Sequence, residues 1–189
     1  MSNAKKNLIL TGDFTEDYEI MVPFRALLMV GYTVHAACPD KKAGDIIRTA
    51  VHDFEGDQTY TEKPGHNFTL NATFSEINPV DYDALLVPGG RAPEYIREDS
   101  NLIRITQYFF DQNLPVASVC HGVEIPARAD RVRGRRMATV PKCKFDLEIC
   151  GGTFVDEPCV VDGNLISGRT FHDNGHYFGK FMELLDAGR

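Results

Sequence analysis

The stretch Pro115-Val116-Ala117-Ser118-Val119-Cys120-His121-Gly122 sets the reading of the whole chain. Four apolar or small residues follow a proline, as in a buried strand. Cys120-His121-Gly122 comes at once, and an apolar-periodic stretch then runs to Val132. A buried strand that passes directly into a helix is half of a βαβ unit.

The same alternation extends in both directions. Residues 7–10 read as a strand stopped by Gly12-Asp13, and residues 16–30 as a helix ended by Gly31. Pro23 inside that helix is expected to kink it or split off its first turn. Residues 33–38 and Ala84–Val87 read as strands, and residues 102–114 as an amphipathic helix with Ser100 as its N-cap. Further strands are expected at 137–140, 153–155 and 159–167, the last turning at Asp162-Gly163. Helices are expected at 142–150 and 176–185. Residues 39–79 break the pattern. Segments at 49–54, 58–61 and 68–74, separated by Glu55-Gly56-Asp57 and Lys63-Pro64-Gly65, read as β-hairpins or meandering edge strands. The fold class is therefore α/β: a three-layer, flavodoxin-like, mostly parallel sheet with helices on both faces and a β-hairpin insertion. One domain is expected over residues 1–189.

Composition narrows the function classes. The chain has 189 residues, with 20 Lys plus Arg against 27 Asp plus Glu, for a net charge of −7. That balance argues against nucleic acid or an anionic membrane as the main partner. No run approaches the ~20 apolar residues of a membrane helix. The polar N-terminus and the brief run Leu8-Ile9-Leu10 do not make a signal peptide, and Ser2-Asn3-Ala4 is left out of the fold reading. Five cysteines are too few for a disulfide scaffold, and an odd number leaves one unpaired. Reduced thiols and a cytoplasmic location are expected.

In open α/β sheets ligands bind beyond the carboxyl ends of the strands. The turns Gly12-Asp13, Pro88-Gly89-Gly90, Cys120-His121-Gly122 and Gly168-Arg169 fall there. Cys120 has the spacing of a nucleophile elbow, which exposes the sulfur and sets it at a helix N-terminus that favours thiolate. It reads equally as a buried cysteine ending a core strand. His121 is a base or a turn residue. Gly89 and Gly90 offer backbone N–H groups to an oxyanion or form an ordinary turn. The run Glu16-Asp17-Tyr18-Glu19 and Glu94 suit the first turns of helices, and only one carboxylate of the run needs to face inward. His172 and His176 are four apart across a glycine, a poor frame for a metal. Cys38, Cys143, Cys150 and Cys159 fit strands or helices, and Arg131-Val132-Arg133-Gly134-Arg135-Arg136 fits a solvated turn.

Taken together, Gly12-Asp13…Glu16-Asp17-Tyr18-Glu19, Val87-Pro88-Gly89-Gly90-Arg91-Ala92-Pro93-Glu94-Tyr95 and Val116-Ala117-Ser118-Val119-Cys120-His121-Gly122 resemble the DJ-1/ThiJ/PfpI superfamily. The likeness runs from Leu8 to about Leu185, with the class I glutamine-amidotransferase-like fold. Residues 49–54 and 64–68 look like its longer-loop, glyoxalase-like branch. The resemblance implies that Cys120 is the reactive cysteine and Glu19 a carboxyl that shares its proton. It implies that His121 is the elbow histidine and that Glu94 is the carboxylate that pairs with it in protease-like relatives, sometimes across a subunit interface. Gly89, Gly90 and the His121 amide match the oxyanion hole. The chain departs from the family pattern after the elbow, at residues 123–130, and at residues 170–178, where Arg169 replaces a small residue near the pocket and substrate binding.

Three functions are implied. One is a cysteine enzyme for reactive aldehydes, a glutathione-independent glyoxalase or related deglycase without cofactor or metal. Another is a PfpI-type peptidase or amidase using Cys120, His121 and Glu94. The last is a non-enzymatic redox sensor or chaperone-like protein with an exposed thiol. A small-molecule aldehyde is the expected partner, and a homodimer or higher homo-oligomer the expected assembly.

Overall fold

The computed structural model describes residues 5–56 and 58–187. Asp57, of the expected 55–57 turn, and Ser2-Asn3-Ala4 lie outside the described residues. In chain order the elements begin with β1 (Lys6–Leu10), α1 (Asp17–Met29), β2 (Thr33–Ala37), β3 (Ile46–Asp53) and β4 (Thr61–Thr69). They continue with β5 (Ala84–Val87), α2 (Ala92–Ile96), α3 (Ser100–Asp111), β6 (Val116–Val119), α4 (Glu124–Arg128) and β7 (Arg136–Met137). The last are α5 (Lys144–Ile149), β8 (Thr153–Phe154), β9 (Val160–Asp162), β10 (Leu165–Gly168) and α6 (Asn174–Ala187).

Six strands form the main sheet in the order β2-β1-β5-β6-β10-β9. All neighbours are parallel except β9, which runs antiparallel to β10 through the turn at Asp162-Gly163. Every residue of β5, β6 and β10 is buried, which is why these strands read as unbroken apolar or small runs. From β1 the chain steps to one side into β2, and from β5 it steps to the other through β6 to β10. Right-handed crossovers then put α1 and α3 on opposite faces. α1 packs with α6, and α3 with α4. The order reverses between β1 and β5, so the turns leaving β1, β5 and β6 meet at the switch point where such folds bind ligands.

Several expectations are corrected. α1 is one unbroken helix. Pro23 gives up only the bond to the Glu19 carbonyl, and its ring is buried. The N-cap of α3 is Asp99, not Ser100: its carboxylate accepts from the N–H groups of Asn101 and Leu102 at 2.9 and 2.8 Å. The expected strand at 137–140 shortens to β7, because the Ala138 N–H is taken by Ser167 Oγ at 2.9 Å and Thr139 turns its hydroxyl to the Cys120 carbonyl. Residues 39–79 hold one long hairpin, β3–β4, in a two-stranded sheet of its own. Lys63-Pro64-Gly65 does not break it. Pro64 lies opposite Ala50 beside a register shift between Arg48 and Ala50, where a missing N–H is tolerated. Residues 58–60 form the bend that leads into β4, not a strand.

Candidate active site

Cys120 stands at the carboxyl end of β6 with φ +56°, a left-handed conformation that costs a non-glycine residue about 1–3 kcal/mol. Its neighbours hold it there. Thr139 Oγ donates to the Cys120 carbonyl at 2.6 Å, and Gly122 lies so close to the Val87 carbonyl that no side chain fits. A single 3-10 turn, Cys120–Val123, leads into the five-residue α4. The elbow expected from spacing is present in the backbone. The expected exposure is not: Cys120 is 6% accessible.

The acidic run at the start of α1 faces inward more fully than expected. Glu16, Asp17 and Glu19 are all buried, and only Tyr18 is exposed. Glu16 caps the helix, accepting from the Glu19 N–H at 2.9 Å. Asp17 accepts from the backbone N–H of His66, faces the His66 ring at 3.0 Å, and accepts from the Thr49 hydroxyl. It thereby ties α1 to the hairpin. Glu19 alone points at the sulfur. Its Oε2 accepts from the Gly89 N–H at 2.8 Å, its carboxyl is a hydrogen-bond neighbour of the Cys120 thiol, and Oε1 has no nitrogen or oxygen partner among the described residues.

The Gly89-Gly90 loop is wedged between these parts. A Cβ on Gly89 would lie 2.7 Å from the Cys120 Cβ and 2.8 Å from Glu19 Oε2. Gly90 has φ +73°, and a Cβ there would strike the backbone of residues 14–16. The two glycines divide the work differently from the expectation. The Gly89 N–H is spent on Glu19, while the backbone N–H groups of Gly90 and His121 are directed at the Cys120 sulfur. Phe14, itself at φ +64°, fixes the loop from outside, its ring between the guanidinium groups of Arg91 (4.3 Å) and Arg48 (4.9 Å).

His121 is buried beside Cys120, with Nδ1 3.4 Å from its Sγ and Nε2 3.3 Å from the Tyr60 hydroxyl. Tyr60 was not among the residues singled out by sequence. It lies in the bend before β4, a stretch with no periodic signal. Glu94 sits on α2, exposed, and no hydrogen bond joins it to His121 among the described residues. It lines a separate cleft with Asp13, Cys38, Arg48, Arg91 and Tyr95.

Burial sets the electrostatics. It pushes the Glu19 carboxyl well above the usual range, and the charge of Glu16 adds to this. Glu16 is itself pushed up to about 7, mainly by burial. Two such carboxyls do not both ionise near neutrality, so the pair retains a proton. Burial and the Glu19 charge push the Cys120 thiol up as well, against the pull of the His121 and Gly90 amides. The expected lowering of the thiol by a helix N-terminus is thus corrected, since the following helix is short and the sulfur enclosed. A proton on Glu19 removes the main charge opposing a thiolate, so the protonation of Cys120 is coupled to that of Glu19. Burial also drives His121 down to about 4, which leaves it neutral at pH 7.

Arg169 bonds Asp173 through Nε and Nη2 at 2.9 and 3.1 Å, and Asp156 through Nη1 at 3.0 Å. This bracket holds the 171–173 turn through the Asp173 carboxylate. His172 stacks on Phe171, with centroids 4.1 Å apart, and no metal-binding cluster occurs among the described residues. All five cysteines are free, and no described helix is long and apolar enough to cross a membrane.

Comparison with known proteins gives a consistent picture. The sequence pattern of the DJ-1/PfpI family matches residues 5–184. Protein DJ-1 homolog D of Arabidopsis thaliana is 44% identical over 185 residues, covering 96% of this chain and 48% of that protein. The chain thus spans about half the length of that relative. Deglycase PH1704 of Pyrococcus horikoshii is 36% identical over 180 residues, covering 95% of this chain and 99% of that protein. Among solved structures, a two-domain protein of Anabaena variabilis with DJ-1/ThiJ/PfpI-like and ferritin-like domains superposes with a TM-score of 0.82 at 27% identity. That match covers 96% of this chain and 50% of the other.

Proposed function

Because the chain belongs to the DJ-1/PfpI family, we propose that it is a cysteine enzyme acting on reactive aldehydes and the adducts they form, as a glyoxalase or deglycase. The observation that carries this reading is the buried Glu19 carboxyl, which neighbours the Cys120 thiol, meets it around Gly89 and keeps Oε1 without a hydrogen-bond partner among the described residues. The deglycase named in Pyrococcus horikoshii, matched along its whole length, supports it.

With methylglyoxal the steps balance without any external oxidant. Cys120 sulfur bonds to the aldehyde carbon while Glu19 gives its proton to the carbonyl oxygen, forming a hemithioacetal. The Gly90 and His121 N–H groups stabilise that oxygen as charge develops. The Glu19 carboxylate then removes the hydrogen from the same carbon and returns it to the neighbouring one, while the hydroxyl proton of the first carbon passes to the neighbouring carbonyl oxygen. The first carbon is oxidised and the second reduced, leaving a lactyl thioester. Water releases lactate and restores the thiol. On an aminocarbinol adduct the C–N bond breaks as the hydroxyl collapses to the aldehyde and the amine leaves with that proton, and the same thiol attack on the freed carbonyl follows.

The test is lactate formation from methylglyoxal, and release of free amine from glycated N-acetyl-lysine. Wild type is expected to turn over at least one of these. Cys120→Ala abolishes it, and Glu19→Gln lowers kcat by about a hundredfold or more, as for a proton-transfer group. Equal rates for wild type and Cys120→Ala overturn the reading.

A further inference from the structure

We propose that Tyr60, carried by the β3–β4 hairpin, is a positioning residue that fixes the tautomer of His121 and so turns an imidazole N–H toward the Cys120 sulfur. The proposal deepens the reading of Cys120 as the nucleophile and rests on it only to that extent.

His121 links the sulfur to the hairpin. The ring has two nitrogens, and each meets one partner: Nδ1 the sulfur at 3.4 Å, Nε2 the Tyr60 hydroxyl at 3.3 Å. A neutral imidazole carries one proton, and the partner of one nitrogen decides where that proton sits. The phenol of Tyr60 is held up to about 12, chiefly by burial, so it keeps its proton and donates. Donation to Nε2 makes that nitrogen the acceptor and leaves the proton on Nδ1, facing Sγ. An N–H aimed at sulfur favours the charged nucleophile. In triads of this kind a carboxylate performs the orienting role. Here Glu94 does not reach His121 within the chain, and a phenol occupies that place.

Tyr60 is not left to choose its position. Its ring meets His121 edge-on at a centroid distance of 5.5 Å and His52 edge-on at 5.2 Å. His52 Nε2 lies 3.1 Å from Glu62 Oε2, and Glu62 receives both Nε and Nη2 of Arg91 at 2.6 and 2.7 Å. Arg91 directly follows the Gly89-Gly90 loop. The bend bearing Tyr60 is thus anchored to the loop that touches the nucleophile. The ionisable groups around the His121 ring, besides Cys120 and Tyr60, include His52 of β3 and Asp146 of α5; those around Cys120 include Glu19 of α1, Cys143 and Tyr177 of α6; and Glu62, Glu94 and Cys143 face Tyr60.

The experiment measures alkylation of Cys120 by iodoacetamide across pH, with the native protein quenched, digested and the Cys120 peptide read by mass spectrometry apart from the other four free cysteines, and needs no substrate. Tyr60→Phe keeps the ring and removes only the hydroxyl. It is expected to slow alkylation at neutral pH by about tenfold and to move the midpoint up by about one pH unit, the equivalent change. A wild-type profile in Tyr60→Phe overturns the proposal. The same substitution is then made in a His121→Ala background, completing a double-mutant cycle. No further change is expected there. A shift as large as in the wild-type background means that Tyr60 acts on the sulfur directly and also overturns it. If turnover fails in wild type while the Tyr60 shift is present, the aldehyde reading falls and the positioning role stands.

Discussion

At the residue scale the site depends on atoms that are absent. Gly89 leaves room for Cys120 and Glu19 to meet, and an added methyl would sit 2.7 Å from one and 2.8 Å from the other. Gly89→Ala is therefore expected to cut kcat/KM by about a hundredfold, the size of effect that a small misplacement of reacting groups produces. Gly175→Ala on α6, where an added Cβ meets nothing within 4 Å, is the matched control and leaves activity unchanged. Near-UV circular dichroism checks that both variants keep their packing. Cys120, His121 and the glycines were legible in the sequence because each follows a buried strand directly, and strand ends are where such folds work. The division of labour between Gly89 and Gly90 was not, since it depends on which way each peptide plane turns. Tyr60 was invisible for a different reason. It touches His121 across 61 positions of sequence, and nothing in its own neighbourhood marks it.

At the element scale, local chemistry decided boundaries more often than periodicity did. Asp99 outcompetes Ser100 as the cap of α3 because its carboxylate reaches two orphan N–H groups. Asp99→Ala is expected to cost about 1 kcal/mol. In a domain of this size that lowers Tm by about 2–4 °C, whereas Ser100→Ala leaves Tm unchanged in the same thermal scan. The long strands and helices were legible because apolar spacing survives at their centres. The hairpin was legible as an insertion but not in register. Its Pro64-Gly65 pair carries turn chemistry, and only pairing with Ala50 keeps it extended. The acidic first turn of α1 was read as N-terminal helix chemistry with only one carboxylate needing to face inward. The hairpin instead closes over it, and Asp17 and Glu16 become the fastening between the two.

At the scale of the whole molecule, buried carboxyls make stability depend on pH in an uncommon direction. Burial pushes Glu124 up to about 7, although the Arg97 guanidinium lies 3.1 Å away and pulls it down in part. Glu16 shifts the same way. A carboxyl raised on folding supports the fold fully below its unfolded value and loses that support as pH climbs through the folded one. His121, lowered to about 4, works oppositely and withdraws its support as pH falls through that value. Glu124→Gln, which keeps a hydrogen-bonding group for Arg97, is expected to melt above wild type at about pH 8 and to converge with it below about pH 5. A constant gap in Tm across that range refutes the assignment. The placement of the hairpin has one more consequence, which concerns descent. Cys120 is borne by a buried parallel sheet whose residues are fixed on both faces, while its cover is borne by a two-stranded ribbon joined to the rest through single bridges and side chains. The two parts are therefore free to diverge at different rates. A change in the length of the segment joining β3 to β4 is expected to alter which molecules reach the sulfur while leaving the elbow as it is.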